Sequence, residues 1–101
     1  MQGYISELIL RMYYVYILKS KKFDRLYVGY TNNLTKRYKQ HSDGMVKSTN
    51  GYLPWRLIYY EAYENKKDAM KREKMLKTYP RTLGALKRRL HNSFTQYSVQ
   101  R

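Results

Sequence analysis

Arg37 and His41 are the residues whose types and spacing first suggest chemistry on a phosphate group. They lie in a segment whose partly apolar positions recur at i, i+3, i+4 and i+7: Leu34, Arg37, Tyr38 and His41. This spacing predicts a helix that turns a guanidinium and an imidazole toward the interior together, whereas a solvated helix turns its charged groups outward. In a purely structural alternative, Arg37 extends its charged end from a half-buried stripe, and His41 ends the helix, where a cation suits the dipole.

Glu73 is the acidic residue best placed to bind a metal ion. It belongs to Glu64–Tyr79, the longest helical pattern in the chain. On the helical wheel Glu73 falls between Ala69 and Met70, so it is the one acid predicted to point toward the core. An ionised carboxylate there is unfavourable unless it is paired or binds a metal. A structural salt bridge with an arginine is the alternative to a metal site.

These side chains need strands and further helices to bring them together. Aromatic and β-branched runs predict three strands, the first two joined as a hairpin: Tyr13–Leu18, Leu26–Tyr30 and Trp55–Tyr60. Asn32 or Asn33 can cap the helix of Arg37, and Arg81–Leu90 has the pattern of a short basic helix. The predicted order is therefore β-β-α-β-α-α. Alternation along the third strand predicts two faces, one with Trp55, Leu57 and Tyr59 and the other with Arg56, Ile58 and Tyr60.

The segment Ser42–Pro54 shows neither a helical nor an alternating pattern, and its glycines and proline predict a loop. Loops of this length within a compact domain are often functional. Several of its polar side chains could donate hydrogen bonds to phosphate: Lys47, Ser48, Thr49 and Asn50. A flexible surface connector is the alternative.

Composition indicates one domain with a polyanionic partner. The 101 residues include 21 Lys and Arg against 7 Asp and Glu, a formal charge of +14. The 13 tyrosines supply flat rings that can stack on bases. Ribosomal proteins are also basic, so composition does not separate an enzyme from an RNA-packaging protein. The chain has no cysteine, which excludes disulfides and thiolate metal sites.

The ends of the chain fall outside the predicted domain, residues 12–91. Residues 1–11 are either an extension from an upstream start or a short surface helix, and residues 92–101 are predicted to be a polar tail. No apolar stretch approaches the roughly 20 residues that span a bilayer, and no secretory signal pattern is present. We therefore predict a cytoplasmic protein without a membrane partner, and the sequence indicates no protein partner.

Two short motifs and three single residues resemble the GIY-YIG nuclease family, in particular its small stand-alone bacterial members. The matching positions are Tyr14-Val15-Tyr16, Tyr27-Val28-Gly29, Arg37, His41 and Glu73. The first triplet departs from the family name at two positions but keeps the tyrosine. The resemblance implies an α+β fold, an α/β sandwich in which helices flank a three-stranded antiparallel sheet, and this agrees with the order β-β-α-β-α-α.

The resemblance implies a metal-dependent endonuclease that hydrolyses phosphodiester bonds in DNA rather than RNA. It would be structure-specific or weakly sequence-specific and act in DNA repair or recombination. Glu73 would bind one Mg²⁺ or Mn²⁺ ion, Arg37 would clamp the phosphate, and His41 would orient or relay a proton. Either Tyr27 or Tyr16 would be the general base. Contacts to nucleic acid are assigned to five further residues: Gly29, Lys47, Lys71, Arg72 and Lys74.

Two other functions fit parts of the same pattern. A nucleic-acid-binding module without turnover needs only the basic surface and the tyrosines, and Glu73 is then structural. A covalent mechanism in which Tyr16 or Tyr27 attacks phosphorus is less favoured, because such sites gather several Arg and His residues around the tyrosine. A site for two metal ions is not expected, since no cluster of carboxylates accompanies Glu73.

Overall fold

The computed structural model describes residues 2–96, which form five α-helices and one three-stranded sheet. The elements are α1 Gln2–Leu10, β1 Tyr13–Ser20, β2 Leu26–Thr31, α2 Leu34–Ser42, a 3₁₀ turn Asn50–Tyr52, β3 Trp55–Tyr63, α3 Lys66–Thr78, α4 Pro80–Arg89 and α5 His91–Thr95. The order from β1 to α4 is β-β-α-β-α-α, which confirms the predicted α+β class. None of the helices among these residues is long and apolar enough to cross a membrane.

The sheet is antiparallel with the order β2-β1-β3, so β1 is central and β2 is an edge strand. Successive side chains of a strand point to opposite faces, and β1 is apolar on both. Val15 and Ile17 pack on one face against α3, α4 and α5, whereas Tyr16 and Leu18 pack on the other against α2 and Trp55. The strand is therefore buried from both sides, which makes it a fixed base for the side chains on the α2 face.

A β-bulge in β3 makes the predicted alternation of that strand wrong. Ile17 pairs with Tyr59 and Leu18 with Leu57, so Ile58 is an extra residue between them. A bulge of one residue moves every later side chain to the other face. Tyr59 and the residues at alternate positions after it consequently face α3, not the side of Leu57.

Both ends of the described chain are more ordered than the sequence indicates. Of the two alternatives for residues 1–11, the described part forms the helix α1, whose apolar side chains are exposed. At the other end, the prediction of a polar tail is wrong for residues 92–96, because Phe94 of α5 is buried in the core. Lys19 Nζ donates to the Phe94 carbonyl, which fixes α5 to β1. Residues 97–101 of that prediction lie outside the described residues.

Candidate active site

Helix α2 carries the first two candidate residues on its inner face, as the spacing predicts. Asn33 caps it, its side-chain oxygen accepting from Lys36 N at 3.0 Å. His41 is fully buried, and Arg37 and Tyr38 are half-buried. Tyr38 Oη donates to the Trp55 carbonyl at 2.9 Å, which joins the helix to β3.

A buried chain of hydrogen bonds joins β1, α2 and the loop before β3. The Tyr16 hydroxyl lies 2.7 Å from Nε2 of His41, and Nδ1 of the same ring lies 2.8 Å from the Thr49 hydroxyl. All three side chains are almost inaccessible to solvent. The Trp55 indole donates to the Thr49 carbonyl at 2.8 Å and holds the loop in place. Thr49 therefore supports His41 from inside the protein, and the prediction that it donates to phosphate is wrong.

Gly29 provides the space that Tyr16 occupies. The two residues are paired across β1 and β2, and a Cβ atom on Gly29 would lie 2.4 Å from both Cζ and Oη of Tyr16. Real Cβ contacts are never that close, so any other residue would displace the Tyr16 hydroxyl. Gly29 itself is buried. The structure thus gives Gly29 a packing role in place of the predicted contact with nucleic acid.

The half-buried Tyr27 completes the group from the edge strand. Its ring centroid is 4.9 Å from that of His41 and 6.1 Å from that of Tyr16. The Arg37 guanidinium interacts with the hydroxyls of both tyrosines, while its NH1 donates to Gln40 Oε1 at 3.0 Å. Because a guanidinium has several donors, these contacts still leave it able to bind a phosphate oxygen.

Burial controls the ionisation of the inner pair, Tyr16 and His41. It raises the pKa of Tyr16, an effect that Arg37 partly offsets. Burial, together with the positive charge of Arg37, lowers the pKa of His41 to about 4. His41 is therefore a neutral imidazole at neutral pH, and one of its ring nitrogens is a hydrogen-bond acceptor.

The low pKa of His41 predicts an acid-sensitive fold. In the unfolded chain the imidazole binds a proton near its ordinary pKa of 6.5, whereas in the folded chain it does so only at about 4. The unfolded state therefore takes up more protons in this window, and the free energy of unfolding should fall by up to about 3 kcal/mol as the pH drops from 6.5 to 4. Urea unfolding across this range measures the loss.

His41→Gln is the matched control, since it removes the titrating ring and should flatten the pH dependence within this window. The pKa of Glu61 is lowered mainly by its bonds to Arg72, Tyr63 and Tyr59, against the opposing effect of burial. The contribution of Glu61 to stability is lost at lower pH than that of His41, and it is the same in the parent and in His41→Gln. An equal slope in the parent and in His41→Gln between pH 6.5 and 4 would contradict a buried neutral histidine.

Glu73 reaches the group from α3 at the edge of the sheet. Its carboxylate pairs with Lys77 Nζ at 3.1 Å, and that ammonium lies 5.6 Å from the centroid of the Tyr27 ring. The negative charge of Glu73 also acts to raise the pKa of Tyr16, although burial is the main cause of that shift. The Glu73 side chain is 25% exposed. The Glu73 carboxylate is therefore open to a ligand from solvent. Its ion-pair partner is a lysine, whereas the structural alternative predicts an arginine.

The acid that faces the core is Glu61, so the prediction that Glu73 is the only such acid is wrong. The β3 bulge places Glu61 on the α3 side, where its side chain is 14% exposed. Arg72 binds it through two contacts, Nε to Oε1 and NH2 to Oε2, both 2.9 Å long. Tyr59 donates to the same carboxylate at 2.7 Å, and so does Tyr63.

The ion pair with Glu61 gives Arg72 a structural role, and its assignment to nucleic-acid binding stays a prediction. Two of its nitrogens are directed at a carboxylate in the core, and this contact fixes α3 to β3. Lys47, Lys71 and Lys74 are exposed, so they remain able to bind a phosphate backbone.

The donor set fits one hard divalent cation. Mg²⁺ often takes only one or two carboxylates from a protein and completes its shell with water and phosphate oxygens. Glu73 is an oxygen ligand of this kind, and its carboxylate is partly exposed. Among residues 2–96 no group of three or more His, Asp or Glu side chains could hold a metal.

The chain is similar to a known domain family and to two curated proteins of bacteria. The family model for the GIY-YIG catalytic domain, a domain of nucleases that act on nucleic acid and generally use a divalent metal, matches residues 12–92. A UPF0213 protein of Clostridium perfringens is 49% identical over 71 residues, 69% of this chain and 75% of that protein. One from Oceanobacillus iheyensis is 41% identical over 70 residues, 68% of this chain and 80% of that protein.

A solved structure shows the same fold. The solution structure of the UPF0213 protein BH0048 from Bacillus halodurans is 34% identical to this chain, with a TM-score of 0.51, and the match covers 88% of this chain and 99% of that one. The arrangement of the sheet and helices is thus shared with that protein. The chain belongs to the GIY-YIG domain family as a small protein of the UPF0213 type.

Proposed function

We propose that this protein is a metal-dependent endonuclease that hydrolyses phosphodiester bonds in DNA. The observation that carries the proposal is the convergence of Tyr27, Arg37 and Glu73 at one edge of the sheet, around the buried pair of Tyr16 and His41. Hydrolysis of a phosphodiester requires a base for water, stabilisation of charge on the non-bridging oxygens and assistance to the leaving oxygen. These side chains can meet the first two requirements.

Tyr27 is our choice for the general base. It is the half-buried tyrosine of the pair, whereas Tyr16 is almost inaccessible and its hydroxyl is held by His41. Two cations, Arg37 and Lys77, stand beside the Tyr27 ring and can stabilise negative charge that develops on its oxygen. Tyr16 and His41, which are more deeply buried, then hold Arg37 and Tyr27 in position.

Arg37 binds the scissile phosphate, and Glu73 is the protein ligand for a single Mg²⁺ or Mn²⁺ ion. The planar guanidinium suits the oxygens of a phosphate group. When bound, the metal supplies Lewis-acid stabilisation of charge on the phosphate and the leaving oxygen. The ion pair with Lys77 holds the carboxylate at the site, and Lys77 can turn to solvent when a metal takes its place, because its side chain is 48% exposed.

DNA is bound mainly through its backbone. Lys71 and Lys74 lie on the exposed side of α3 next to Glu73, and Lys47 lies in the loop after α2. Phosphate contacts position a nucleic acid without reading its sequence. Activity is therefore expected to be structure-specific or weakly sequence-specific, in keeping with a cytoplasmic role in DNA repair or recombination.

A binding module that retains the fold without turnover is the second candidate, because the Glu73–Lys77 ion pair also suits a purely structural glutamate. A covalent tyrosine intermediate is a third mechanism. Its product would carry protein on one DNA end after denaturation, whereas hydrolysis leaves free ends.

Glu73→Gln tests the proposal, with Glu64→Gln as the exposed control. Glu73→Gln should lose Mg²⁺-dependent nicking by at least roughly a hundredfold and bind DNA at least as well as the parent. The free energy of unfolding should change by less than about 0.5 kcal/mol, because the lost pair with Lys77 is an exposed i, i+4 contact. Unchanged nicking together with a marked loss of stability would support the structural role.

A further inference from the structure

Thr49 is the residue at this site whose role neither the family motifs nor the proposed chemistry explains. It lies in the loop between α2 and β3 and is fully buried, although its side chain is polar. Buried hydroxyls are almost always satisfied, and the partners of a hydroxyl decide in which direction its proton points. For Thr49 the two partners are Nδ1 of His41 at 2.8 Å and the Val46 carbonyl at 3.3 Å.

We infer that Thr49 is a positioning residue that fixes His41 as the tautomer with hydrogen on Nδ1, so that Nε2 accepts the Tyr16 proton. The Val46 carbonyl, which also accepts from the backbone N–H groups of Thr49 and Asn50, is within reach of the Thr49 hydroxyl, so the hydroxyl can donate there and present a lone pair to His41. Nδ1 then has to be the donor of the 2.8 Å contact. The neutral ring has one hydrogen only, which leaves Nε2 as the acceptor of the 2.7 Å contact with Tyr16.

The Tyr16 end of this series of hydrogen bonds requires the same direction of donation. Arg37 has donors only, so it cannot accept the Tyr16 proton, and its positive charge acts on the Tyr16 hydroxyl. Within residues 2–96, Tyr16 has no second acceptor for its own proton, so that proton goes to Nε2 of His41. In the opposite tautomer, Thr49 would donate to Nδ1 and Nε2–H would point at Tyr16, leaving the Tyr16 hydroxyl hydrogen without a partner in a buried site. Such an unsatisfied buried group costs about 1–3 kcal/mol.

One direction of donation therefore runs from Tyr16 through His41 and Thr49 to the Val46 carbonyl. This order has a consequence for catalysis that rests on the proposed function: because the Tyr16 hydroxyl donates to His41, its oxygen is free to accept from the Arg37 guanidinium that binds phosphate. Thr49 acts through His41 and Tyr16, and it touches neither substrate nor metal in this arrangement.

The tautomer can be measured without any substrate. In the ¹⁵N-labelled full chain at pH 7.5, long-range ¹H–¹⁵N correlation spectra should show His41 with a protonated Nδ1 and a bare Nε2. The exposed His91 is the internal reference for an unconstrained ring, and loss of the signals in His41→Gln assigns them. A parent spectrum with hydrogen on Nε2 of His41 would overturn the inference, whatever the activity of the protein.

Thr49→Val and Thr49→Ser form the matched pair of variants. Serine keeps the hydroxyl and should keep the Nδ1–H form, with single-turnover cleavage within about threefold of the parent. Valine keeps the shape but cannot accept, so the Nδ1–H form should lose its dominance, and cleavage should fall by roughly tenfold or more while DNA affinity stays within tenfold. A dominant Nδ1–H form in folded Thr49→Val would contradict the role of Thr49.

The two readouts separate this inference from the proposed function. If the parent shows the Nδ1–H tautomer and the valine variant loses it, while neither protein cuts DNA, the role of Thr49 stands and the proposed hydrolysis fails. If Thr49→Val does not fold, the parent and Thr49→Ser spectra decide, because Nε2–H in either of them is incompatible with the hydrogen-bond direction described here.

Discussion

Replacing Arg37 with alanine is expected to lower the single-turnover rate of DNA cleavage by roughly a hundredfold or more, the effect of removing a preorganised donor that stabilises transition-state charge. The guanidinium is half-buried and interacts electrostatically with the hydroxyls of both Tyr16 and Tyr27. DNA affinity should fall much less, because it is spread over many basic residues. Quench-flow or gel assays with enzyme in excess measure the rate.

Lys36→Ala is the matched control for Arg37. Lys36 is the adjacent cation on α2, but its side chain is exposed, so removing it changes the net charge equally without reaching the site. Its cleavage rate should stay within a fewfold of the parent. Equal losses in the two variants would mean that Arg37 acts only through general attraction to DNA, and the proposed clamp would be wrong.

The largest expected effect on stability comes from Arg72→Met. This change leaves the Glu61 carboxylate, 14% exposed, without its bidentate partner. Removing one member of a buried ion pair costs about 3 kcal/mol or more, because the remaining charge is desolvated and unpaired. Chemical denaturation of the two proteins measures the difference, and a marked drop in thermal midpoint should accompany it.

Two variants control for the Arg72 prediction. Lys71→Met changes an exposed neighbour on α3 and should alter the free energy of unfolding by less than about 0.5 kcal/mol. The double variant Glu61→Gln with Arg72→Met removes the stranded charge and should regain much of the loss, since the glutamine can still accept from Tyr59 or Tyr63. A stable Arg72→Met protein would show that the ion pair does not hold α3 to the sheet.

The three strands and helix α2 could be predicted from local sequence patterns, and the structure contains these elements. Aromatic and β-branched runs define the three strands, and the stripe on α2 turns His41 inward as its spacing predicts. The bulge at Ile58 is different, because alternation assumes a regular strand and no residue type there marks an insertion. This extra residue turns Glu61 toward α3. The sequence pattern therefore points to Glu73 of α3 as the acid that faces the core, whereas the structure has Glu61 of β3 there.

The candidate site was predictable where a motif or a helical period marks a residue. Tyr16, Tyr27, Arg37, His41 and Glu73 are marked in this way. The structure brings Tyr16, Tyr27 and His41 into mutual contact, and Glu73 is joined to Tyr27 through Lys77. Thr49 is marked by neither, since it lies in a loop without a period, and its role depends on a contact with α2 formed only in the folded chain. Phe94 was likewise missed, because a single apolar residue in a polar segment gives no pattern.

Hydrolysis by the parent protein is the central claim, and single-turnover cleavage of labelled DNA tests it most directly. Duplex, flap, junction and single-stranded substrates should be offered with Mg²⁺ or Mn²⁺, and Tyr27→Phe should be compared with the parent on the substrate that is cut best. We expect free DNA ends from the parent, and from Tyr27→Phe a cleavage rate lower by roughly a hundredfold at an affinity within tenfold. A parent protein that binds these substrates tightly but cuts none of them, or that leaves protein attached to a DNA end, would contradict this claim.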